Sequence, residues 1–428
     1  MNVERYRKGK IRIIKIMKKL IFITTRLFWP MDSGRKVSLY YYCKGLHETQ
    51  GYDIYLYSFL EPGQSEKMIE SKPDFIKEVR LAKPISKFSK LKSLCIRSLF
   101  WRWPFQCSIY FSKQNKESIH SYCEDIQPDC IFVDMIRLAP YFQALKNIKC
   151  RKYLDLDDLL SRRYERQLLN KHDKGPLMGA FSTGEDKRFN GRLKKIVLKL
   201  ESRRIKRAEI KYGEKYDRVI FVSDKETEIY NAILPEKAIT IRLGVDYDYY
   251  SAPINANVKE QGVLTFLGNL KFAPNVASLD LLVNEILPKL NFSYTLKVVG
   301  VYPKEIKERY KNERIVFLGR VNDVRSIIKN SEIFLAPIAY GSGVKTKILE
   351  TMAMGVPIIT NSLGIEGIDV LNNEHLIVAD DFTDFAEKVN LLHEDRMFAQ
   401  NLGQNAQLLV KNMYDWREVY KSFKSLDA

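Results

Sequence analysis

No apolar run in this chain approaches the ~18–20 residues a membrane-spanning helix needs, so no span is expected. Cysteine is scarce. The six residues Cys43, Cys95, Cys107, Cys123, Cys130 and Cys150 all fall in the first 150 positions, and none forms a C-x-x-C pair. Histidine numbers five, with no His/Cys cluster at ligand spacing, so neither a metal site nor a disulfide scaffold is expected. The cysteines read as free thiols of a reducing cytoplasm. Internal repeats and low-complexity tracts are also lacking. The first twenty residues carry eight basic side chains and one acidic one, without the apolar core and small-residue cleavage site of a secretory signal. Residues 1–16 therefore read as a basic tail, with folded chain from about Met17.

What is present begins with size and charge. At 428 residues, 45% of them apolar, the chain has material for two or three domains. Its net charge of +18 is uneven: residues 261–428 hold 19 Lys/Arg against 20 Asp/Glu, while residues 1–260 hold 51 against 32. Nucleic acid or an anionic membrane surface would suit such a basic half. Lys83–Phe105 mixes basic residues with Phe88, Phe100, Trp101, Trp103 and Phe105 and contains no acid, the composition of a membrane-surface contact or of a solvated helix packing its aromatics inward. Residues 188–218 are long, helical in composition and basic, yet match no DNA-reading motif. A solvated or lipid-facing surface is the better expectation there, and no nucleic-acid partner is expected.

Along the chain, short apolar runs alternate with helical patterns across glycines. Lys19–Thr25, Asp53–Phe59, Cys130–Asp134, Lys152–Asp155 and Val219–Ser223 read as buried parallel strands. A loop with Pro30 and Gly34 and a helix over Val37–His47 separate the first two. Residues 251–262 are polar and aperiodic, a linker. The rhythm resumes with strands at Val263–Leu267, Thr295–Val299, Ile315–Leu318 and Ile333–Pro337. The most informative stretch runs from Ile333 to Ile368: strand, Gly341-Ser342-Gly343 loop, a helix bearing two lysines and a glutamate, then a second strand at Val356–Thr360. Such loops offer backbone N–H groups and a helix N-terminus to an anion. Lys345 and Lys347 add positive charge, and Glu350 is placed to take a sugar hydroxyl. Asp134 and Asp155 end their strands, where open α/β sheets carry catalytic groups. The run Asp155-Leu156-Asp157-Asp158 could act as a base or cap the next helix.

Two Rossmann-like halves, a linker near 250 and a late ligand loop resemble the GT-B glycosyltransferases. The stretches PMDSGRKVS, DLDDLLSRRY, LESRRIKRAE…YDRVIFVS, RLGVDYDYY, FLGNLKFAPN, VFLGRVNDV and GSGVKTKILETMAMGVPIIT resemble the family-4 group of retaining, nucleotide-sugar-dependent transferases, bacterial surface-polysaccharide members above all. The resemblance runs from about Lys18 to the end of the chain. It implies an α/β GT-B fold of two Rossmann-like domains whose parallel sheets face a central cleft. Residues 17–250 would form the acceptor domain, 263–408 the donor domain, and 409–428 a helix crossing back to the first domain. It also implies site roles. Glu350 would bind the nucleotide ribose, and Lys345 and Lys347 would neutralise the leaving diphosphate. Gly341 and Gly343 would approach the sugar phosphate, with Ser342 between them. Gly319, Arg320 and Val321 would contact the base. Gly34 and Arg35 would reach across the cleft, and Gly268, Asn269 and Lys271 would complete the donor site.

Three positions depart from the family pattern. Ser342 stands where many members have a sugar-contacting glutamate, and Asn269 where an arginine is common. Asp134 or Asp155 occupies the place of a histidine. The chemistry expected is transfer from a UDP- or GDP-sugar to a glycan or lipid-linked acceptor, on the cytoplasmic face and peripheral to the plasma membrane. No cofactor and no metal is expected, because N–H donors and lysines can stabilise the departing diphosphate. The first-domain charge would suit an acceptor presented on an anionic membrane, met through residues 83–105 and 188–218. A nucleotide-sugar epimerase or hydrolase of the same fold, and an inactive membrane-associated partner of another transferase, stay open as alternatives.

Overall fold

The computed structural model describes residues 17–169, 191–254, 260–341 and 343–426. The basic tail 1–16, Ser342 and the heart of the 251–262 linker lie outside the described residues. Strands β1 (Lys18–Thr24), β2 (Tyr52–Ser58), β3 (Ile76–Leu81), β4 (Cys130–Asp134), β5 (Arg151–Asp157), β6 (Arg218–Phe221) and β7 (Ala238–Thr240) build one sheet. Its order is β3-β2-β1-β4-β5-β6-β7 with every pair parallel. Central strands are unbroken apolar runs because helices cover both faces: Leu20, Ile21, Phe22 and Ile23 are all buried. The second sheet takes β8 (Val263–Leu267), β9 (Thr295–Val299), β10 (Ile315–Gly319), β11 (Ile333–Ala336), β12 (Ile358–Thr360) and β13 (Ile377–Val378) in the order β10-β9-β8-β11-β12-β13, again parallel. The order reverses between β1 and β4 and between β8 and β11. A crevice opens outside the carboxyl ends of the strands at such points.

The chain passes between the two cores twice. Val245 packs with the second sheet's core although Ile241 packs with the first, so the crossing precedes the expected 251–262 linker. Val410 and Tyr414 still belong to the second core, and the return comes at Asp415. The two crossings brace each other: Val245 N–H donates to Tyr414 O (2.7 Å), and Trp416 N–H donates to Val245 O (3.3 Å). Beyond them Trp416, Val419, Tyr420, Phe423 and Leu426 enter the first core. Trp416 stacks on Tyr41 of helix α1 (Gly34–Gln50) at 4.7 Å between ring centroids. Tyr153 Oη and Arg151 Nη1 each donate to Leu426 O at 2.8 Å.

Gly45 of α1 makes this docking fit. A Cβ there would lie 2.3 Å from the Tyr420 ring and 2.8 Å from the Phe423 ring. Gly45→Val should therefore cost ~1–3 kcal/mol by overpacking, more than helix propensity returns. Denaturant unfolding checks the cost, and limited proteolysis should release the segment after Asp415 sooner than in the unsubstituted protein.

Elsewhere the structure extends or shifts the expected elements. Strand β5 runs through Asp157, so most of the acidic run continues the strand, while Asp158 just beyond it accepts from Arg163 of the next helix. Strand β3 and the Lys113–Ile126 helix carried no expectation at all.

Candidate functional site

On the second-sheet side, β11 leads into the Gly341–Gly343 loop, where Gly341 and Gly343 hold φ of 130° and 75°, a region open to glycine without strain. The helix Thr346–Ala353 follows, with Lys345 at its N-cap. Its period sends Ile348, Leu349 and Met352 into the core and leaves Lys347 and Glu350, three apart, on one half-buried face. Lys345 Nζ donates to Gly343 O at 2.5 Å, and Lys347 Nζ donates to Leu267 O, at the end of β8, at 3.0 Å. Among the described residues neither ammonium is ion-paired with a carboxylate. Burial, only partly offset by Glu366, lowers the Lys345 ammonium to about 8. Burial and the neighbouring Lys345 charge lower Lys347 to about 8 as well. Burial raises Glu350 to about 7, opposed by a hydrogen bond with Tyr250 and by Lys347. Two cations held among carbonyls, beside a glycine loop, are arranged for an anion.

On the first-sheet side, the first turn of α1 places Arg35 under the ends of β4 and β5. Its Nε and Nη2 donate to Asp134 Oδ1 at 3.0 and 2.6 Å, Nη2 to Asp155 Oδ2 at 2.7 Å, and Nη1 to Asp157 Oδ1 at 3.1 Å. Three carboxylates thus share one buried guanidinium, whose planar fork suits several acceptors at once. Burial alone would raise all three acids. At Asp134 the positive charges of Arg35, Arg26 and Arg137 outweigh burial and hold the carboxyl below its usual range. At Asp155 burial wins and raises it to about 6. Asp157 is raised too, and its backbone sits at φ 67°. It keeps more exposure than its two partners, 21% of its side chain, on the cleft side.

The two sides meet across a cavity of about 140 Å³ lined by Gly34, Arg35, Asp157, Asp158, Arg163, Gly343 and Thr346 among others. A Cβ on Gly343 would stand 3.6 Å from Asp158 Oδ2, and one on Gly34 3.6 Å from Thr346 Cγ2. Arg163 pairs with buried Asp158 on the first-domain wall. Arg166 reaches Glu366 across the cleft at 2.5 Å, and Arg242 reaches Asp369 at 3.1 Å.

The structure sets Lys345 against Gly343 and Lys347, on one helix face with Glu350, against the β8 end next to Gly268, and it brings Arg35 together with Asp134 and Asp155. Gly34 faces Gly343. Asn269 Oδ1 accepts from Lys271 N–H at 3.0 Å, so that amide closes its own turn while the lysine side chain is exposed. Gly319 ends β10 at the sheet edge, two strands from the crossover, and Arg320 and Val321 follow it, with Arg320 exposed. Asp157 and Asp158, read from the sequence only as members of an acidic run, line the cavity, Asp158 paired with Arg163; Tyr250, beside Glu350, is a neighbour with no sequence-based role. The stretches DLDDLLSRRY and RLGVDYDYY are the sequence signals for them.

The paired cations set a pH dependence. A bound diphosphate keeps Lys345 and Lys347 protonated, whereas in the free protein they begin to lose protons near pH 8. Affinity should fall as pH rises past about 8, with net proton uptake on binding. A hydroxyl donated to Glu350 favours its ionised form, so binding near pH 7 should also release a proton. Calorimetry in buffers of different ionisation enthalpy reads both signs.

Residues 261–395 match the family described as glycosyl transferases group 1. An uncharacterised 44.6 kDa protein in the cps region of Klebsiella pneumoniae is 25% identical over 249 residues, 54% of this chain and 62% of that one. An uncharacterised glycosyltransferase of Methanocaldococcus jannaschii is 24% identical over 216 residues, 48% of this chain and 53% of that one. The chain thus spans less than two thirds of the length of these curated relatives. Among solved structures, HepE of Anabaena in complex with UDP superposes with a TM-score of 0.65 at 14% identity, covering 95% of this chain and 99% of that one. The fold is GT-B: two parallel-sheet α/β domains facing a cleft.

Proposed function

From a chain whose residues 261–395 carry a glycosyl transferases group 1 domain on a GT-B fold, we propose a glycosyltransferase that moves a sugar from a nucleotide donor to a glycan acceptor. The observation that carries this reading is the pair of cations, Lys345 and Lys347, held among carbonyls beside the Gly341–Gly343 loop. A departing nucleoside diphosphate develops negative charge on phosphate oxygens, and preorganised donors in a sheltered cleft stabilise that charge without reorganisation. The lysines would carry this charge with no resident metal required, and Glu350 would hold the ribose hydroxyls. A donor sugar directed from the lysines toward Gly34 and Asp157 would lie in the 140 Å³ cavity, sheltered from water.

The acceptor we propose is lipid-linked and belongs to cell-surface polysaccharide synthesis on the cytoplasmic face of the membrane. The Klebsiella relative in a cps region and the strongly basic first 260 residues support this. Retention of anomeric configuration rests on the family resemblance. The test is release of nucleoside diphosphate from a panel of UDP- and GDP-sugars, with and without a lipid-linked acceptor fraction. Release that depends on acceptor and disappears in Glu350→Ala supports transfer. Release without acceptor supports a hydrolase, and binding without release supports an inactive partner.

A further inference from the structure

The helical segment Lys87–Phe100 is built inside out. Its buried positions are Ser93 and Ser98, which donate to Ser108 O and, at 2.8 Å, to Ser108 Oγ. Its large apolar side chains Phe88, Leu91, Ile96, Leu99 and Phe100 are exposed among lysines, with Trp101 just beyond; Phe88 and Phe100 are 75% and 79% exposed. Large apolar side chains in water forgo ~1.5–3 kcal/mol each of burial, while serines do the packing a core would assign to leucine. The segment is nonetheless firmly held. Arg97 bonds Ser93 and lies over the Phe111 ring at 4.6 Å, so the arginine faces the protein and the phenylalanines face away.

Charge names the surface this face would meet. From Val79 to Lys116 the chain contains no acid and nine Lys/Arg. The segment's end abuts the helix Gly191–Gly213: Phe105 and Gln106 N–H donate to Glu201 at 2.8 and 3.3 Å, and Arg204 lies over the Phe105 ring at 4.9 Å. That helix repeats the pattern. Its two acids, Glu201 and Glu209, are buried, while Lys195, Lys199, Arg203, Lys206 and Arg207 are exposed beside exposed Ile196 and Leu200. A protein partner would be met by mixed charge at its rim. Uniform positive charge around projecting aromatics matches anionic headgroups over an acyl interior.

We infer that Phe88, Leu91, Leu99, Phe100 and Trp101 insert into the interface of an anionic bilayer, with the Lys195–Arg207 face lying on its headgroups. This deepens the reading of a membrane-presented acceptor by naming the element that enters the lipid. The element connects to the cleft. The Gly191–Gly213 helix holds Ser161 through Glu209 (2.6 Å to Ser161 Oγ), and the helix Leu160–Leu169 that begins there carries cleft residues Arg163 and Arg166.

Vesicle flotation of the full chain tests this, using phosphatidylcholine alone and mixed with phosphatidylglycerol. The unsubstituted protein should float with the mixed vesicles and be released by salt. Leu99→Ser/Phe100→Ser/Trp101→Ser should weaken binding by about tenfold or more. Lys87→Gln/Lys90→Gln/Lys92→Gln should weaken it only at low salt. An unchanged thermal midpoint and unchanged nucleotide titration would show that the variants fold. The inference is overturned if the unsubstituted protein stays in solution, or if the serine variant floats equally well. It is also overturned if sedimentation velocity finds a dimer that the serine variant splits, without vesicle binding. Flotation requires no nucleotide, so loss of the transferase reading would leave this result standing, and the reverse.

Discussion

Lys345→Ala/Lys347→Ala is expected to lower nucleoside diphosphate affinity by about a hundredfold or more, since a hydrogen bond to a charged group contributes ~1.5–3 kcal/mol. The two lysines share one anion, so their losses need not add. The same variant should gain stability when no ligand is present. Both ammonium groups titrate in the folded protein near 8, below the ordinary lysine value. A depressed lysine destabilises the fold at every pH below its folded value, and the penalty fades as pH rises toward the unfolded value. At pH 7 the alanine variant escapes that penalty. It should melt higher than the unsubstituted protein alone, yet rise little when UDP or GDP is added. Thermal melts with and without nucleotide read both effects, and a stable protein that has lost its ligand response is the signature of a site held under strain for binding.

Arg35→Ala should be the most damaging single substitution, costing about 3–5 kcal/mol. Removing one partner of a buried ion pair strands the others, and here three carboxylates are left within one guanidinium's reach. Lysine should rescue little, because a point charge cannot span Asp134, Asp155 and Asp157 together. The pH response separates this account from simple loss of packing. Asp134, held below its usual range, stabilises the intact protein above the unfolded carboxylate pKa, and that contribution is lost as pH falls. Asp155, raised to about 6, has the opposite sign: its penalty is full above pH 6 and is relieved on acidification. Without Arg35 all three acids should behave like Asp155. The variant should then recover part of its deficit between pH 7 and 5, where the intact protein gains less. Denaturant melts across that range give the comparison.

These two clusters also mark what the sequence disclosed. Strands β4, β8 and β9 are legible to the residue, because parallel strands buried on both faces are uninterrupted apolar runs ended by Asp or Gly. The lysine–glutamate helix is legible from spacing alone. Arg35 is different. Its place in PMDSGRKVS points to a ligand contact, whereas the folded arginine is engaged by acids 99 to 122 positions away. No local pattern encodes so distant a partner. Strand β3 is not legible because its run, IKEVRL, is an edge strand half open to solvent and lacks the continuous apolar signal of its neighbours. The polar stretch at 251–262 points to an interdomain linker, whereas the crossing lies between Ile241 and Val245. A crossing braced by its return strand needs apolar Val245 and Trp416, and composition alone reads such a stretch as core.

The most direct test of the central claim is calorimetric titration of the full chain with UDP and GDP at pH 7.5. The account predicts saturable binding of at least one nucleotide, coupled to a proton exchange whose sign reverses between pH 7 and 8.5 as Glu350 and the lysines titrate in turn. A folded protein that binds neither nucleotide would contradict the donor site, and with it the transferase built around Lys345 and Lys347.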